Sequence, residues 1–213
     1  MRKKIILLVG IILFLAIMVS LILYASFSGN KYMHLTQSGE WTHYHFDVKN
    51  LRFATTIEVH KEGDFIGTVK GDILHLITDP LSFYDTSNNR IAYASDAYHL
   101  ISQDSHMILV NNQQTAEMIG QIKVFGEAYD IYASTEKSIF HADFNAFDTA
   151  GVLTDGYLKP VAVYDSKLIF NDFEVYVSSD CSLDEPTLIM IFASYYSDKT
   201  ADRNSSSSRS NDK

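Results

Sequence analysis

Two places in this chain set metal-binding side chains at strand spacing. His43 and His45 stand two residues apart, and His141 with Asp143 repeats the interval. Residues i and i+2 of an extended strand share a face, so each pair offers two donors on one side, and the four together would suit zinc. Nothing in the sequence brings the two pairs to one place, and polar outer-face residues on separate hairpins are the plainer reading. His60, His75, His99 and His106 are dispersed in the same way.

Other patterns begin like known chemistry and then break off. From Asp143 to Asp148 the chain opens as a calcium loop does, with oxygen donors at the first and third positions. Phe147 holds the fifth, however, and Thr154 stands where the bidentate Glu belongs. Ser134-Thr135-Glu136-Lys137 has the S-x-x-K spacing of penicillin-interacting serine enzymes, but that chemistry also uses S-D-N and K-T-G elements, and Lys199-Thr200-Ala201 is not the latter. No G-x-S-x-G elbow, phosphate-binding glycine loop or H-E-x-x-H helix occurs. Cys181 is the single cysteine, which rules out an internal disulfide and a multi-cysteine zinc site. The sequence thus assigns no catalytic, cofactor-binding or metal-ligating residue, and the expectation is a protein that is not an enzyme.

The elements that carry these side chains read as strands. Trp41 to Lys49 places Trp41, His43, His45 and Asp47 on one face and Thr42, Tyr44, Phe46 and Val48 on the other, the apolar set facing inward. Short runs follow at Arg52–His60, Phe65–Lys70, Ile73–Thr78, Ile91–Ala94, Tyr98–Ser102 and Met107–Val110. Glu117–Phe125, Tyr129–Ala133, Ile139–Phe144, Pro160–Tyr164, Lys167–Phe170 and Phe173–Val177 continue the series. Lys61-Glu62-Gly63-Asp64, Thr86-Ser87-Asn88-Asn89, Asn111-Asn112-Gln113 and Asn171-Asp172 supply turn residues that tolerate positive φ or bond their own backbone. About twelve antiparallel strands at such spacing predict a sandwich or a closed barrel, and closure removes exposed edges.

One segment departs from the pattern. Thr187 to Tyr196 is apolar on every side, and Ser182, Asp184, Glu185 and Pro186 before it form a helix start: Ser182 with Glu185 fits a capping box, and Pro is tolerated in a first turn. A helix beginning near Asp184 and apolar all round must be enclosed. At about 15 Å it is too short for a bilayer, so protein has to enclose it. A last buried strand is the competing reading.

A barrel around a C-terminal apolar helix, with Phe65–Gly71, Ile119–Lys123, Pro160–Tyr164 and the ending Phe173–Val177 followed by Leu188–Ala193, resembles the tubby C-terminal-like group. That group includes the LURP-one-related proteins and is related to the phospholipid scramblases. The resemblance covers about residues 50–197 and rests on residue type rather than invariant chemistry. It implies a twelve-stranded barrel with the helix through its middle. Activities in the group divide between phosphoinositide binding, proposed lipid movement and many bacterial members without an assigned role, and the lipid-binding members use clustered basic residues. Here Lys61, Lys70 and Lys123 are scattered among acids, so no binding residue carries over.

Ahead of this domain, Ile5 to Phe27 carries no charge and follows Arg2, Lys3 and Lys4. As a helix it spans about 34 Å, enough for a hydrocarbon core of about 30 Å. A cleaved signal would use Ser26 and Ser28, but signal h-regions are shorter. The cationic flank places the N-terminus in the cytoplasm and the domain outside the cell, as a single-pass membrane protein. The chain has 17 Lys and Arg against 26 Asp and Glu. Without the three N-terminal cations, 14 remain against 26, a net charge of about −12 that repels nucleic acid and anionic lipid head groups and favours a cationic ligand or protein.

The expected fold class is therefore mainly β, a closed antiparallel barrel of about twelve strands around a C-terminal hydrophobic helix, preceded by one N-terminal transmembrane helix. Residues 1–4 form the basic flank, 5–27 the anchor and 28–40 a polar linker. Residues 41–198 form the barrel domain, with its helix at about 184–197, and 199–213 a disordered tail. The expected function is binding or interaction at the membrane surface, with membrane-lipid binding or movement as the alternative reading.

Overall fold

A computed structural model of the chain describes residues 10–17, 20, 30–51, 54–71, 80–96, 105–123, 126–134, 138–145, 149–166 and 172–208. Twelve strands run in sequence order: β1 (Trp41–Leu51), β2 (Ala54–Lys61), β3 (Asp64–Gly71), β4 (Leu81–Asp85), β5 (Arg90–Asp96) and β6 (Ser105–Val110), then β7 (Gln113–Gln121), β8 (Glu127–Ala133), β9 (Ser138–Phe144), β10 (Ala150–Thr154), β11 (Pro160–Ser166) and β12 (Phe173–Ser178). Each pairs antiparallel with its chain neighbours, and β1 pairs with β12 to close the ring. Helix α1 (Glu185–Ser208) follows the last strand.

Turn chemistry sets the register. Glu62 and Gly63 adopt φ of 51° and 90°, and Asn111 and Asn112 adopt 50° and 63°, so both hairpins close through two residues of left-handed backbone whose twist matches the strands. Asp85 and Asp155 build a second kind of turn. Each carboxylate accepts backbone N–H bonds two and four residues on, from Ser87 and Asn89 at 2.9 and 2.8 Å and from Tyr157 and Lys159 at 2.9 Å each. Asn88 and Leu158 then take positive φ. The Asp155 turn was not anticipated, because Leu158 is an unusual occupant of that region.

The interior is the alternate face of the strands plus the helix. Tyr44, Phe46 and Val48 are buried, and Leu188 through Ala193 are each no more than 2% exposed. The all-round apolar segment is thus enclosed by sheet, as its composition requires. The wall is not uniform. Helix α1 lies nearest β4 to β7, where Ala92, Ala94 and Ala116 leave room for it. On the other side large rings fill the gap: Phe144 stacks on Tyr195 at 3.5 Å between centroids, Phe46 on Phe173 at 4.4 Å, and Tyr164 contacts Phe144 edge-on at 5.4 Å. Gly67 on β3 is buried against β4, where a Cβ would meet the Tyr84 carbonyl oxygen at 2.3 Å and the Phe83 ring at 2.6 Å.

Several expectations need correction. The helix cap is Asp184, whose carboxylate accepts from Thr187 N and Thr187 Oγ1 at 2.9 Å each, rather than Ser182. The helix does not end near residue 197. It runs to Ser208 through the start of the expected disordered tail, because Asp198 and Lys199 still pack against the barrel and no Gly or Pro follows Pro186 to stop propagation. Strands Leu81–Asp85 and Ala150–Thr154 were missed, being short and, for the second, opened by Ala-Gly. The expected strands Ile73–Thr78, Tyr98–Ser102 and Lys167–Phe170 lie outside the described residues.

The polar linker is also more than a spacer. Asn30 Nδ2 donates to the Tyr164 carbonyl at 2.7 Å, a 3-10 turn at Met33–Gln37 lies on β11, and the Glu40 carbonyl accepts from Ser179 N at 3.0 Å. Of the expected anchor only residues 10–17 and 20 are described. Residues 10–17 are helical, with Ile11, Ile12, Leu13, Phe14, Leu15 and Ile17 between 49% and 65% exposed. No helix among the described residues is long and apolar enough to cross a membrane, and the rest of the expected anchor lies outside the described residues.

Candidate functional site

The two sequence-matched donor pairs do not meet. His43 and His45 lie on β1, His141 and Asp143 on β9, and three strands stand between them around the ring. His141 Nδ1 bonds Asp130 Oδ1 at 2.5 Å, and Asp143 accepts from Lys123 Nζ at 2.6 Å. At the failed calcium loop, Asn145 Oδ1 accepts from Thr149 N at 2.9 Å, and residues 146–148 lie outside the described residues. Ser134 sits in a turn with its N–H on the Thr115 carbonyl at 2.8 Å, while Lys137 of the S-x-x-K pattern lies outside the described residues, as do His75 and His99. Cys181, the single cysteine, is half-buried.

His43 and His45 nevertheless have close company of another kind. Both imidazoles contact Glu174 on β12, His43 Nε2 on one carboxylate oxygen and His45 Nδ1 on the other at 2.8 Å. His60 on β2 faces His45 with ring centroids 6.1 Å apart. Among the described residues no three His, Cys, Asp or Glu groups stand so that they could hold a metal ion.

Two polar clusters fasten the helix, one at its first residue and one at Asp198, ten residues before its end. At its entry Glu185 accepts from Tyr44 Oη at 2.6 Å and from Lys61 Nζ at 2.7 Å. Burial pushes the Glu185 carboxyl up, and the bonds from Lys61 and Tyr44 outweigh it, leaving the group below the ordinary carboxylate value. Burial, then the bond to Glu185, pushes the Tyr44 phenol well above its usual value. Further along, His106 Nε2 contacts Asp198 Oδ2 at 2.8 Å, and Tyr129 Oη donates to the same oxygen at 3.2 Å. Each cluster ties the helix to the barrel wall.

The open site is on the outer wall of β3 to β6. A cleft of about 1060 Å³ is lined there by Lys70, Ser82, Tyr84, Arg90, Tyr93 and Asn111, among others. Register explains the gathering: Lys70 pairs with Ser82, Ser82 with Tyr93, and Tyr84 with Arg90, so alternate residues of neighbouring strands arrive on one face. Lys70 Nζ stands 4.8 Å from the Tyr84 ring centre and the Arg90 guanidinium 5.5 Å from that of Tyr93. A cation resting on a ring face retains its charge while losing much of its rotational freedom. None of the described lining residues is acidic. Sequence reasoning named Lys70 and dismissed it as scattered; Arg90 and the tyrosines lay too far along the chain to be joined to it without the strand register. Compared with known proteins, the chain matches no family model, no curated protein and no solved structure.

Proposed function

We propose that this protein is a non-enzymatic binding module, held at a membrane by its N-terminal apolar run, whose barrel receives a ligand in the β3–β6 cleft through an anionic group. One observation carries this reading: Lys70 and Arg90 share a cleft none of whose described lining residues is acidic, in a domain of about −12 net charge. The overall field draws cations to the molecule and the cleft runs against it, so the ligand recognised there is an anion and any cationic partner meets the remaining surface. The anchor reading is supported by the uncharged run Ile5 to Phe27 and by the apolar side chains exposed around helical residues 10–17. A cytoplasmic N-terminus and an extracellular barrel follow from the three leading cations. Kinship with the tubby C-terminal-like group is supported by the closed twelve-strand barrel around a buried C-terminal helix, which is an argument from architecture.

A second reading, an anionic lipid head group as the ligand, is favoured by the same two cations and by the short tether, since Asn30 is already bonded to the barrel wall. Flotation of a chain beginning at Lys31 with anionic and with neutral vesicles separates the two. Binding to anionic vesicles that Lys70→Glu and Arg90→Glu abolish identifies lipid. Saturable binding of a soluble anion, lost in the same variants, identifies a free ligand. If the variants match wild type in both assays, the cleft is not the binding site.

A further inference from the structure

We infer that His43, His45 and Glu174 form a binding site for a divalent transition-metal ion across the seam that closes the barrel, with His60 at its edge. Strand register builds the set. His45 pairs with Glu174 on one side and with His60 on the other, so the three occupy one row on three adjacent strands spaced about 4.8 Å apart. His43 stands on the same face of β1, two residues along, and reaches the same carboxylate. The side chains of His43, His45 and Glu174 are 36%, 36% and 31% exposed, open to an ion from solvent.

The present contacts join both imidazoles to the carboxylate by hydrogen bonds. Each imidazole addresses a different oxygen of Glu174, and a hydrogen occupies the space between nitrogen and oxygen that an ion would take. That is why no three donors converge as the side chains stand. Zinc with legs of about 2.0–2.1 Å keeps its donors roughly 3.3 Å apart, so the 2.8 Å His45–Glu174 contact has to open by about half an ångström. Rotation of partly exposed side chains accommodates that. Each neutral imidazole moves its hydrogen to the nitrogen facing solvent and offers a lone pair in its place. Imidazole and carboxylate donors without sulfur suit Zn²⁺, Co²⁺, Ni²⁺ or Cu²⁺ better than Mg²⁺ or Ca²⁺. Glu62, which accepts from His43 N, adds a carboxylate beside the same strands, while Lys49 pairs with Glu58 at 2.5 Å and with Asp47 at 3.6 Å.

The test uses the purified full chain in detergent, titrated with Co²⁺ and Zn²⁺. The expected result is one saturable site with a tetrahedral Co²⁺ absorption band that Zn²⁺ displaces, and a melting temperature raised by about 5–10 °C at a hundredfold excess over Kd. His45→Asn and Glu174→Gln should each weaken binding by about tenfold or more while far-UV circular dichroism stays native, and His141→Asn should leave it unchanged. No saturable binding by the wild type overturns the proposal, as does binding that survives both substitutions in folded protein. A merely structural hydrogen-bond cluster would show stability losses in the variants without any metal dependence. This outcome is independent of the β3–β6 cleft, which lies on a different wall.

Discussion

Replacing Phe192 with Ala tests the enclosure of the helix directly. The ring is 1% exposed and stacks parallel to Tyr164 at 6.2 Å, on a helix surrounded by strands. Removing it costs the transfer free energy of the lost atoms and leaves a void that a hydrogen-bonded ring of strands cannot close by collapse. Large-to-small substitutions of buried Phe cost about 3–5 kcal/mol, and the closed wall places this one in the middle or upper part of that range, about 4 kcal/mol. For a domain of this size each kcal/mol moves the melting temperature by about 2–4 °C, so a fall of roughly 8–16 °C is expected. Calorimetry or circular dichroism on full-length protein measures it, with Tyr157→Ser, an exposed turn residue, as the control expected to stay within about 0.5 kcal/mol. Benzene should partly restore the variant by entering the apolar void. A loss under 2 °C, or equal losses in variant and control, would refute the enclosed packing.

Two further outcomes follow from the geometry. Gly67→Ala drives a Cβ against the Tyr84 carbonyl, which the sheet holds in place, and should lower stability by about 1–3 kcal/mol in urea titrations; an unchanged midpoint would show that β3 and β4 do not approach as described. Glu185 sits below its ordinary value in the folded state, so its contribution is complete above the unfolded carboxylate pKa and is lost as pH falls through the folded one. Wild type should therefore lose more stability than Glu185→Gln between about pH 5 and pH 3, and parallel pH profiles would contradict the clamp with Tyr44 and Lys61.

What the sequence disclosed depended on how local the signal was. The β1 face assignment, the Glu62-Gly63 and Asn111-Asn112 turns and the enclosed helix each rest on a few consecutive residues, and each is found as expected. The helix cap moved by two residues because Ser182 and Asp184 both satisfy a capping pattern and only geometry separates them. The missed strands Leu81–Asp85 and Ala150–Thr154 are five residues long, too short for a period-2 pattern to stand out from its flanks. The cleft was illegible for a different reason. Its cations and rings come from three strands, and nothing but the pairing register, set partly by a bulge at Phe83/Tyr84, decides which residues arrive together. His43 and His45 were singled out correctly as a pair, but their neighbours Glu174 and His60 come from strands whose adjacency depends on closure of the ring.

Closure of the ring also fixes an order of events. Trp41 at one extreme of the domain must find Ser178 at the other, yet the segment that fills the interior is translated after both. A shut cylinder would have no entrance for it, so the ribbon has to stay unzipped between its first and last strands until the ribosome has delivered residues past 196. Assembly is then a wrapping rather than a threading, slow because its decisive contact spans nearly the whole polypeptide, and a nascent chain halted before Leu188 would have an open, greasy trough to hide.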